Sequence, residues 1–340
     1  MPELTYLQAI IIGALQGVTE LFPISSLGHS VLVPALVGGS WSHLVTENAS
    51  GDSATSPYLS FVVALHVATA LALLVFYRRD WVLIIGGFLT SIRDRQITTP
   101  TQRLAWLIVL ATIPVGITGL ALEHTVRTLF AKPLAAAGFL TVNGLILLGG
   151  ERLRRSAERR SAMRSSRAEQ SEPVGTSTGA TRAPTDAAPS TASVDTPPVV
   201  SRRLMVADHR PLDTLAYREG IVIGLFQTLA LLAGISRSGV TMVAGLLRGL
   251  DHEDAAKFSF LLATPVILGA GLLKLPSLAG PAAADIHGQV LAGALTAGIA
   301  AYASVRFLTR YFTTRTLTPF AVYSLLVGIA CILWFLATGV

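Results

Sequence analysis

Charge is scarce in this chain: Asp, Glu, Lys and Arg make up 14% of its 340 residues, whereas apolar residues make up 51%. An average soluble domain carries about 25% charged residues, so the composition excludes an ordinary soluble enzyme. Cysteine is nearly absent as well. The single Cys331 lies in an apolar segment, which excludes an internal disulfide and argues against thiol chemistry. The composition predicts an integral membrane protein, and we expect no nucleic-acid partner.

The N-terminal segment lacks the features of a signal peptide. Residues 4–22 have no basic start and no small-residue cleavage site. Six uninterrupted apolar runs, in contrast, are long enough to cross a bilayer as helices. They lie at about 58–77, 104–122, 133–150, 258–275, 287–305 and 319–339. These runs predict an all-α polytopic membrane protein.

Basic residues are missing from residues 1–57 and 275–286, although the chain holds 26 Lys and Arg. Basic loops stay on the cytoplasmic side of a membrane. The basic segments are 78–103, 151–218, 248–257 and 306–315. Placing them in the cytoplasm alternates correctly across all six apolar runs and leaves both termini outside.

The middle of the chain has a different composition. Residues 156–200 are rich in Ser, Thr, Ala, Pro and Arg and poor in aromatic residues. Such a segment cannot bury enough apolar surface to offset the entropy lost on ordering. We therefore expect residues 151–212 to be a basic, disordered cytoplasmic linker. A passive tether is the favoured role, and a polybasic contact with anionic membrane lipids is the alternative.

The chain repeats itself at a shift of 211 positions. Residues 6–28 align with residues 217–239, and nine of these 23 positions are identical. Both copies are apolar and break at a turn that carries Gly and Ser, ELFPISSLGHS in the first and LAGISRSGVT in the second. Interrupted apolar segments at matching places in two halves are typical of a binding site near the bilayer midplane.

The charge pattern gives these two broken segments opposite orientations. Residues 4–37 enter and leave from the outer face as a re-entrant helical hairpin, and residues 217–250 do so from the cytoplasmic face. Each half then has one re-entrant hairpin and three transmembrane helices. Three crossings carry the chain from one face of the membrane to the other, so the second half begins on the side opposite to the first. Residues 1–150 and 213–340 are therefore predicted to be inverted-topology repeats.

Few ionisable residues lie at membrane depth, where they usually mark functional sites. They are Glu20, His29, His66 and Arg237. Hairpins entering from opposite faces can bring their tips together, so that two helix N-termini point at Arg237. Such a place binds an anion with several oxygens, and phosphate fits best.

The residues expected to bind this anion lie on both hairpins. They are Gln16, Ser25, Ser236, Arg237, Ser238 and Thr241. Glu20 has no evident role in binding an anion unless a metal bridges them. A divalent cation, Mg²⁺ or Ca²⁺, held by one carboxylate and phosphate oxygens is ordinary coordination.

At these residues the chain resembles a known family. The motifs are Gln16-x-x-x-Glu20, Pro23-x-Ser25-Ser26-x-x-His29 and Gly234-x-Ser236-Arg237-Ser238-x-x-Thr241. They are similar to those of the undecaprenyl-diphosphate phosphatase family, whose members are also known as bacitracin-resistance proteins. The resemblance covers nearly all of both halves and skips only the linker.

The resemblance implies an enzyme of the bacterial inner (plasma) membrane. Members hydrolyse undecaprenyl diphosphate to undecaprenyl phosphate and inorganic phosphate, which recycles the lipid carrier for peptidoglycan synthesis and confers bacitracin resistance. It also implies a fold of inverted repeats, contact with membrane lipids, and compatibility with a homodimer. This chain departs from the family pattern at three positions. Gln16 stands where Glu is also found, Ala233 where Pro is usual, and His66 where Gln is usual.

The catalytic residues predicted from this resemblance and from the motif spacing are Glu20, Ser26, His29 and Arg237. Ser26 activated by His29 is the favoured nucleophile, because a spacing of three residues at a helix start brings them within reach. A water activated by Glu20 or His29 is the alternative. Because the first hairpin opens outward, we expect hydrolysis on the outer side of the membrane.

Structural roles compete with these assignments. Glu20 can serve only to pair with Arg237, Ser25 can serve only as a helix cap, and His66 can be a packed histidine. A second class of function also stays open, since transporters share inverted repeats and broken helices. A transporter or flippase of a phosphorylated polyprenyl lipid would bind the same anion without releasing phosphate.

Overall fold

The computed structural model describes residues 4–39, 41, 57–130, 132–171, 210–278 and 286–339. These residues form helices joined by short turns, and no strand occurs among them. The first half contains α1 (Tyr6–Thr19), α2 (Ser26–Val37), α3 (Pro57–Phe76), α4 (Arg78–Asp94), α5 (Pro100–Phe130) and α6 (Pro133–Ser171). The second contains α7 (Tyr217–Thr228), α8 (Arg237–Leu247), α9 (His252–Leu278), α10 (His287–Tyr311) and α11 (Thr318–Thr338). The predicted all-α class is confirmed.

Five of these helices are long and apolar enough to cross a membrane. They are α5, α6, α9, α10 and α11. A sixth span is formed if α3 and α4, which meet at a bend of 86°, are counted together. The helices α1 and α2 are apolar but shorter, as expected for segments that do not cross the bilayer.

The helix α4 lies where the sequence predicted a cytoplasmic loop, residues 78–103. A search for uninterrupted apolar runs misses it, because Arg78, Arg79 and Asp80 begin it and polar residues recur along it. The structure shows an amphipathic helix with large apolar side chains left exposed by the protein, among them Val82 and Leu83. Such a helix fits a membrane surface.

The start of the predicted linker needs correction. The sequence placed a disordered segment at residues 151–212, but α6 continues to Ser171. Residues 151–171 are mostly Glu, Arg, Ala, Ser, Met and Gln, and the first proline follows at position 173. Several of these residue types favour helix strongly, so the helix continues after its apolar part has ended. Residues 172–209 lie outside the described part of the chain.

Glycines let the helices approach closely at equivalent places in the two halves. Gly13 in α1 faces the backbone of Gly293 in α10, and a Cβ at position 13 would collide with that backbone. Gly224, the repeat equivalent of Gly13, faces the backbone of Ala111 in α5 in the same way. The hairpin helices α1 and α7 are thereby seated on α10 and α5.

Candidate active site

Each hairpin turns at a serine that caps its second helix. The Ser25 hydroxyl accepts the Gly28 N–H at 3.2 Å at the start of α2, and the Ser236 hydroxyl accepts the Gly239 N–H at 3.2 Å at the start of α8. Ser236 has the extended backbone that is usual for an N-cap. Ser25 has φ of 70°, a left-handed conformation that is uncommon outside glycine and stores strain. The backbone conformation at each tip is therefore fixed by a serine cap.

The tips of the two hairpins touch each other. The Ser25 hydroxyl also accepts the N–H of Gly234 at 3.2 Å, and the Ser236 hydroxyl donates to the Phe22 carbonyl at 3.5 Å. Gly234 has φ of 115°, and a Cβ there would collide with the Ala136 carbonyl. Glycine is therefore required at this position for the tips to meet against α6.

Asn143 of α6 fastens both tips, and the sequence reasoning missed it. Its amide nitrogen donates to the Pro23 carbonyl at 3.0 Å, and its oxygen accepts the Ser236 N–H at 2.9 Å. The amide nitrogen also donates to Ser324 of α11 at 3.2 Å, and the side chain is fully buried. An asparagine within an apolar span was the available signal, but our search at membrane depth was centred on ionisable residues.

Replacing Asn143 by leucine is expected to destabilise the protein by about 2–3 kcal/mol, because it leaves a buried N–H and a buried carbonyl at the tips without their partners. Thermal unfolding in detergent measures the change. Thr112→Val is the matched control, since the Thr112 hydroxyl bonds the Ile108 carbonyl of its own helix at 2.8 Å. Equal melting temperatures for the two variants would contradict the role of Asn143.

The carboxylate of Glu20 is the centre of the polar cluster. It lies at the end of α1, and its side chain is 3% exposed. Oε1 accepts Arg237 Nη2 at 3.0 Å, while Oε2 accepts Gln16 Nε2 at 3.0 Å and the Ser26 hydroxyl at 2.5 Å. His66 Nε2 of α3 lies 3.4 Å from the same Oε2. Residues of both halves therefore converge on one carboxylate.

Ser26 and Arg237 hold equivalent positions in the repeat, since they are 211 positions apart and each is the first residue of its helix. Their backbone N–H groups lie at helix N-termini, where the dipole favours an anion. Arg237 and Ser26 are both partly exposed. A ligand can thus reach a hydroxyl, a guanidinium and two helix starts at once.

Two buried atoms of this cluster have no hydrogen-bond partner within the described residues. They are Arg237 Nη1, a donor, and Gln16 Oε1, an acceptor. Buried polar groups are normally paired, so each unpaired one calls for an explanation such as a ligand. An oxyanion satisfies Arg237, and a cation or a hydroxyl group satisfies Gln16.

His29 does not make the predicted pair with Ser26. Its Nδ1 lies 2.7 Å from the Ser25 carbonyl, which can only accept, so Nδ1 carries the proton. Its Nε2 then accepts the hydroxyl of Tyr323 at 2.9 Å, and the two rings stack. The prediction of a Ser26–His29 pair is therefore wrong for this state: Ser26 bonds Glu20. A buried imidazole at this depth pairs with whatever carbonyl and hydroxyl are nearest, which residue spacing alone does not reveal.

The remaining predicted anion-binding hydroxyls lie at the start of α8 and form hydrogen bonds within the protein. Ser236 and Ser238 are 3.0 Å apart, and Thr241 lies 2.5 Å from Ser259 of α9. All three predicted residues are buried. Their hydroxyls form hydrogen bonds inside the protein at the start of α8, whereas the side chain of Arg237 reaches Glu20.

A divalent cation fits the residues present. No group of three or more His, Cys, Asp and Glu side chains that could hold a metal ion occurs in the part of the chain that the structure describes. Glu20 Oε2 and His66 Nε2 nevertheless form a close pair of candidate metal ligands, and Gln16 Oε1 next to them has no partner among the described residues. Diphosphate oxygens would complete such a set.

The fold and this cluster define a class: a helical membrane protein with a polar centre where two helical hairpins meet. The family model of bacitracin resistance protein BacA matches residues 9–177 and 196–330. Undecaprenyl-diphosphatase 2 of Frankia alni is 69% identical to this chain, covering 97% of this chain and 98% of the relative. The undecaprenyl-diphosphatase of Mycolicibacterium paratuberculosis is 52% identical, with 98% of each covered. The chain belongs to the bacitracin resistance protein BacA family.

Proposed function

We propose that this chain is an integral membrane phosphatase that hydrolyses undecaprenyl diphosphate to undecaprenyl phosphate and inorganic phosphate. It thereby recycles the lipid carrier for peptidoglycan synthesis and confers resistance to bacitracin. The observation that carries the proposal is the contact of the Ser26 hydroxyl with Glu20 at 2.5 Å, beside Nη1 of Arg237, which has no partner among the described residues. A hydroxyl, a base and a free cationic donor meet at one point, as phosphoryl transfer requires.

Arg237 binds the diphosphate and stabilises the charge that develops during transfer. Its Nη2 is held by Glu20, which leaves Nη1 for a phosphate oxygen. The helix starts at Ser26 and Arg237 add partial positive charge at the same place. These donors are fixed before the substrate arrives, so little reorganisation is needed in the transition state.

Ser26 is the nucleophile and Glu20 is its base. The Ser26 oxygen attacks the terminal phosphorus, its proton passes to Glu20, and the bond to the bridging oxygen breaks to release undecaprenyl phosphate. Water then cleaves the phosphoserine. Direct attack by a water that Glu20 activates is the alternative, and Ser26→Ala distinguishes them, since only direct attack survives it.

The divalent cation would be held by Glu20 with Gln16 and by the diphosphate itself. When bound, it would neutralise charge on the phosphate oxygens. The residues around it orient the substrate, and the apolar tail lies between helices against lipid.

Phosphate release from undecaprenyl diphosphate by purified protein in detergent tests the function. We expect release by the wild type, loss of release with EDTA, and recovery with Mg²⁺ or Ca²⁺. Binding of the lipid by folded protein without any phosphate release would favour the alternative, a transporter or flippase of a phosphorylated polyprenyl lipid.

Tyr323 is expected to position His29. Tyr323→Phe removes the hydroxyl that His29 Nε2 accepts, so the ring loses its fixed orientation. We expect phosphate release to fall about tenfold, which corresponds to the loss of one hydrogen bond. Tyr302→Phe on α10, an exposed tyrosine, is the control. Equal rates for both variants would show that His29 needs no such support.

Inverted topology and an outward opening complete the proposal. The seating of α1 on α10 and of α7 on α5, through equivalent glycines, supports the inverted repeat. The absence of Lys and Arg from residues 1–57 supports an outer first hairpin and a cytoplasmic linker. The family supports a location in the bacterial inner membrane. A homodimer stays a prediction.

Thiol labelling in intact cells tests the side on which the site opens. Ser26→Cys in a Cys331→Ala background places one thiol at the partly exposed start of α2. We expect labelling by an impermeant reagent from outside, with Thr99→Cys on the basic loop as the protected control. Labelling of position 99 alone would reverse the orientation.

A further inference from the structure

We propose that His66 is a direct ligand of the divalent cation and makes this site select a transition metal such as Mn²⁺ over Ca²⁺. The inference rests on the proposed function, because the diphosphate supplies the remaining ligands. It starts from one contact. His66 lies in the middle of α3, and its Nε2 is 3.4 Å from Oε2 of Glu20, the oxygen that also accepts the Ser26 hydroxyl.

The hydrogen bonding of His66 fixes the orientation of its ring and directs Nε2 at Glu20. His66 Nδ1 lies 2.8 Å from the carbonyl of Val62, one turn earlier in α3. A carbonyl can only accept, so Nδ1 carries a proton, and Nε2 is the ring nitrogen directed at Glu20, where a metal ion would take the place of the proton that otherwise lies between them. Metal-binding histidines are commonly oriented in this way, with the second nitrogen donating to a carbonyl.

The distance between His66 Nε2 and Glu20 Oε2 suits two ligands of one cation. Two ligand atoms that each lie about 2.1 Å from one metal ion are roughly 3.0–3.5 Å apart in tetrahedral or octahedral geometry. The observed 3.4 Å falls in this range. A cation between them would be held by the Nε2 lone pair and by the carboxylate oxygen together.

Gln16 adds an oxygen to the same place. Its Nε2 lies 3.0 Å from Glu20 Oε2, and its Oε1 is buried without a partner in the described residues. Rotating the amide by about 180° exchanges the two atoms without moving the rest of the side chain. Gln16 can therefore present its oxygen to the cation that Glu20 and His66 hold.

A nitrogen ligand changes the metal preference. Ca²⁺ and Mg²⁺ favour oxygen ligands, whereas imidazole suits Zn²⁺, Fe²⁺ and Ni²⁺ best; Mn²⁺ also takes oxygen ligands but binds an imidazole nitrogen better than Ca²⁺ does. A site of carboxylate, amide and diphosphate oxygens alone would favour Mg²⁺ or Ca²⁺. With His66 as a ligand, the same site gains affinity for Mn²⁺ and little for Ca²⁺.

Metal binding without turnover tests the inference. Chelator-stripped protein in detergent is titrated with Mn²⁺ in the presence of methylenediphosphonate, and free Mn²⁺ is measured by electron paramagnetic resonance. Electron spin echo modulation then reports whether a nitrogen is bonded directly to the ion. The variants are His66→Gln, the control His287→Gln on the exposed start of α10, and Glu20→Gln.

We expect the wild type and His287→Gln to bind Mn²⁺ more tightly than Ca²⁺, with a nitrogen signal. His66→Gln should lose that signal and bind Mn²⁺ at least about tenfold more weakly. Its retained Ca²⁺ affinity would show that the fold is intact, and Glu20→Gln should weaken both ions.

Two results would overturn the inference: an unchanged ratio of Mn²⁺ to Ca²⁺ affinity in His66→Gln, or no nitrogen signal in the wild type. Neither depends on catalysis. Nitrogen-bound Mn²⁺ in a wild type that releases no phosphate would refute the phosphatase and keep the metal site. Phosphate release by a wild type without the nitrogen signal would support the phosphatase and refute His66 as a metal ligand.

Discussion

Glu20→Gln is expected to lower the rate of phosphate release by about 10²–10⁴-fold, the usual contribution of a positioned general base. The glutamine amide keeps the size of the side chain but cannot take the proton that Ser26 donates at 2.5 Å. It also removes the charge that holds Arg237 Nη2 at 3.0 Å. Steady-state release from undecaprenyl diphosphate at saturating metal measures the effect.

Glu219→Gln is the matched control for this substitution. Glu219 is also a glutamate held by an arginine, since Arg210 Nη2 lies 2.6 Å from its Oε2, but the pair lies at the start of α7 outside the polar cluster. We expect Glu219→Gln to retain most of the phosphate release. Near-normal turnover in Glu20→Gln would instead reduce Glu20 to a structural partner of Arg237.

The sequence predicts most of the helical architecture because apolar runs of sufficient length have few alternatives to a membrane span. Glu20, Ser26 and Arg237 could also be selected in advance. Each lies at a break in an apolar segment, and the repeat places Ser26 and Arg237 at equivalent positions. The repeated sequence supplies two similar scaffolds, and the chemistry comes from the positions at which the copies differ.

The partners of these residues could not be predicted. Asn143 lies 120 positions from Pro23 and Tyr323 lies 294 positions from His29, and no local pattern connects them. Their pairing depends on how α6 and α11 rotate about their axes, which is decided by packing. The same limit explains the error on Ser26: proximity along α2 favoured His29, whereas the turn of the chain brings Glu20 to the hydroxyl.

The amphipathic helix α4 and the length of α6 illustrate a second limit. Apolar run length detects segments buried in lipid on all sides, but α4 has one apolar face and the end of α6 is charged. Helix propensity and the distribution of proline were the better guides for residues 151–171. Composition alone led us to place the linker there too early.

Arg237→Lys is expected to reduce kcat/KM for undecaprenyl diphosphate by about 10²–10³-fold, the loss found when one preorganised donor to a developing oxyanion is removed. Arg237 uses Nη2 for Glu20 and leaves Nη1 without a protein partner among the described residues. A planar guanidinium can hold the carboxylate and a phosphate oxygen together, whereas an ammonium group is a single point of charge. The substitution keeps the charge and removes this geometry.

The separation of kcat from KM decides what Arg237 contributes. If Nη1 meets the phosphate oxygens mainly as charge develops, kcat should fall with kcat/KM and KM should change little. Arg210→Lys, at the Glu219 pair, should leave both constants nearly unchanged. A rise in KM alone would make Arg237 a binding residue, which a lipid transporter would need as much as a phosphatase. A fall in kcat, in contrast, is expected only where the guanidinium takes part in phosphoryl transfer.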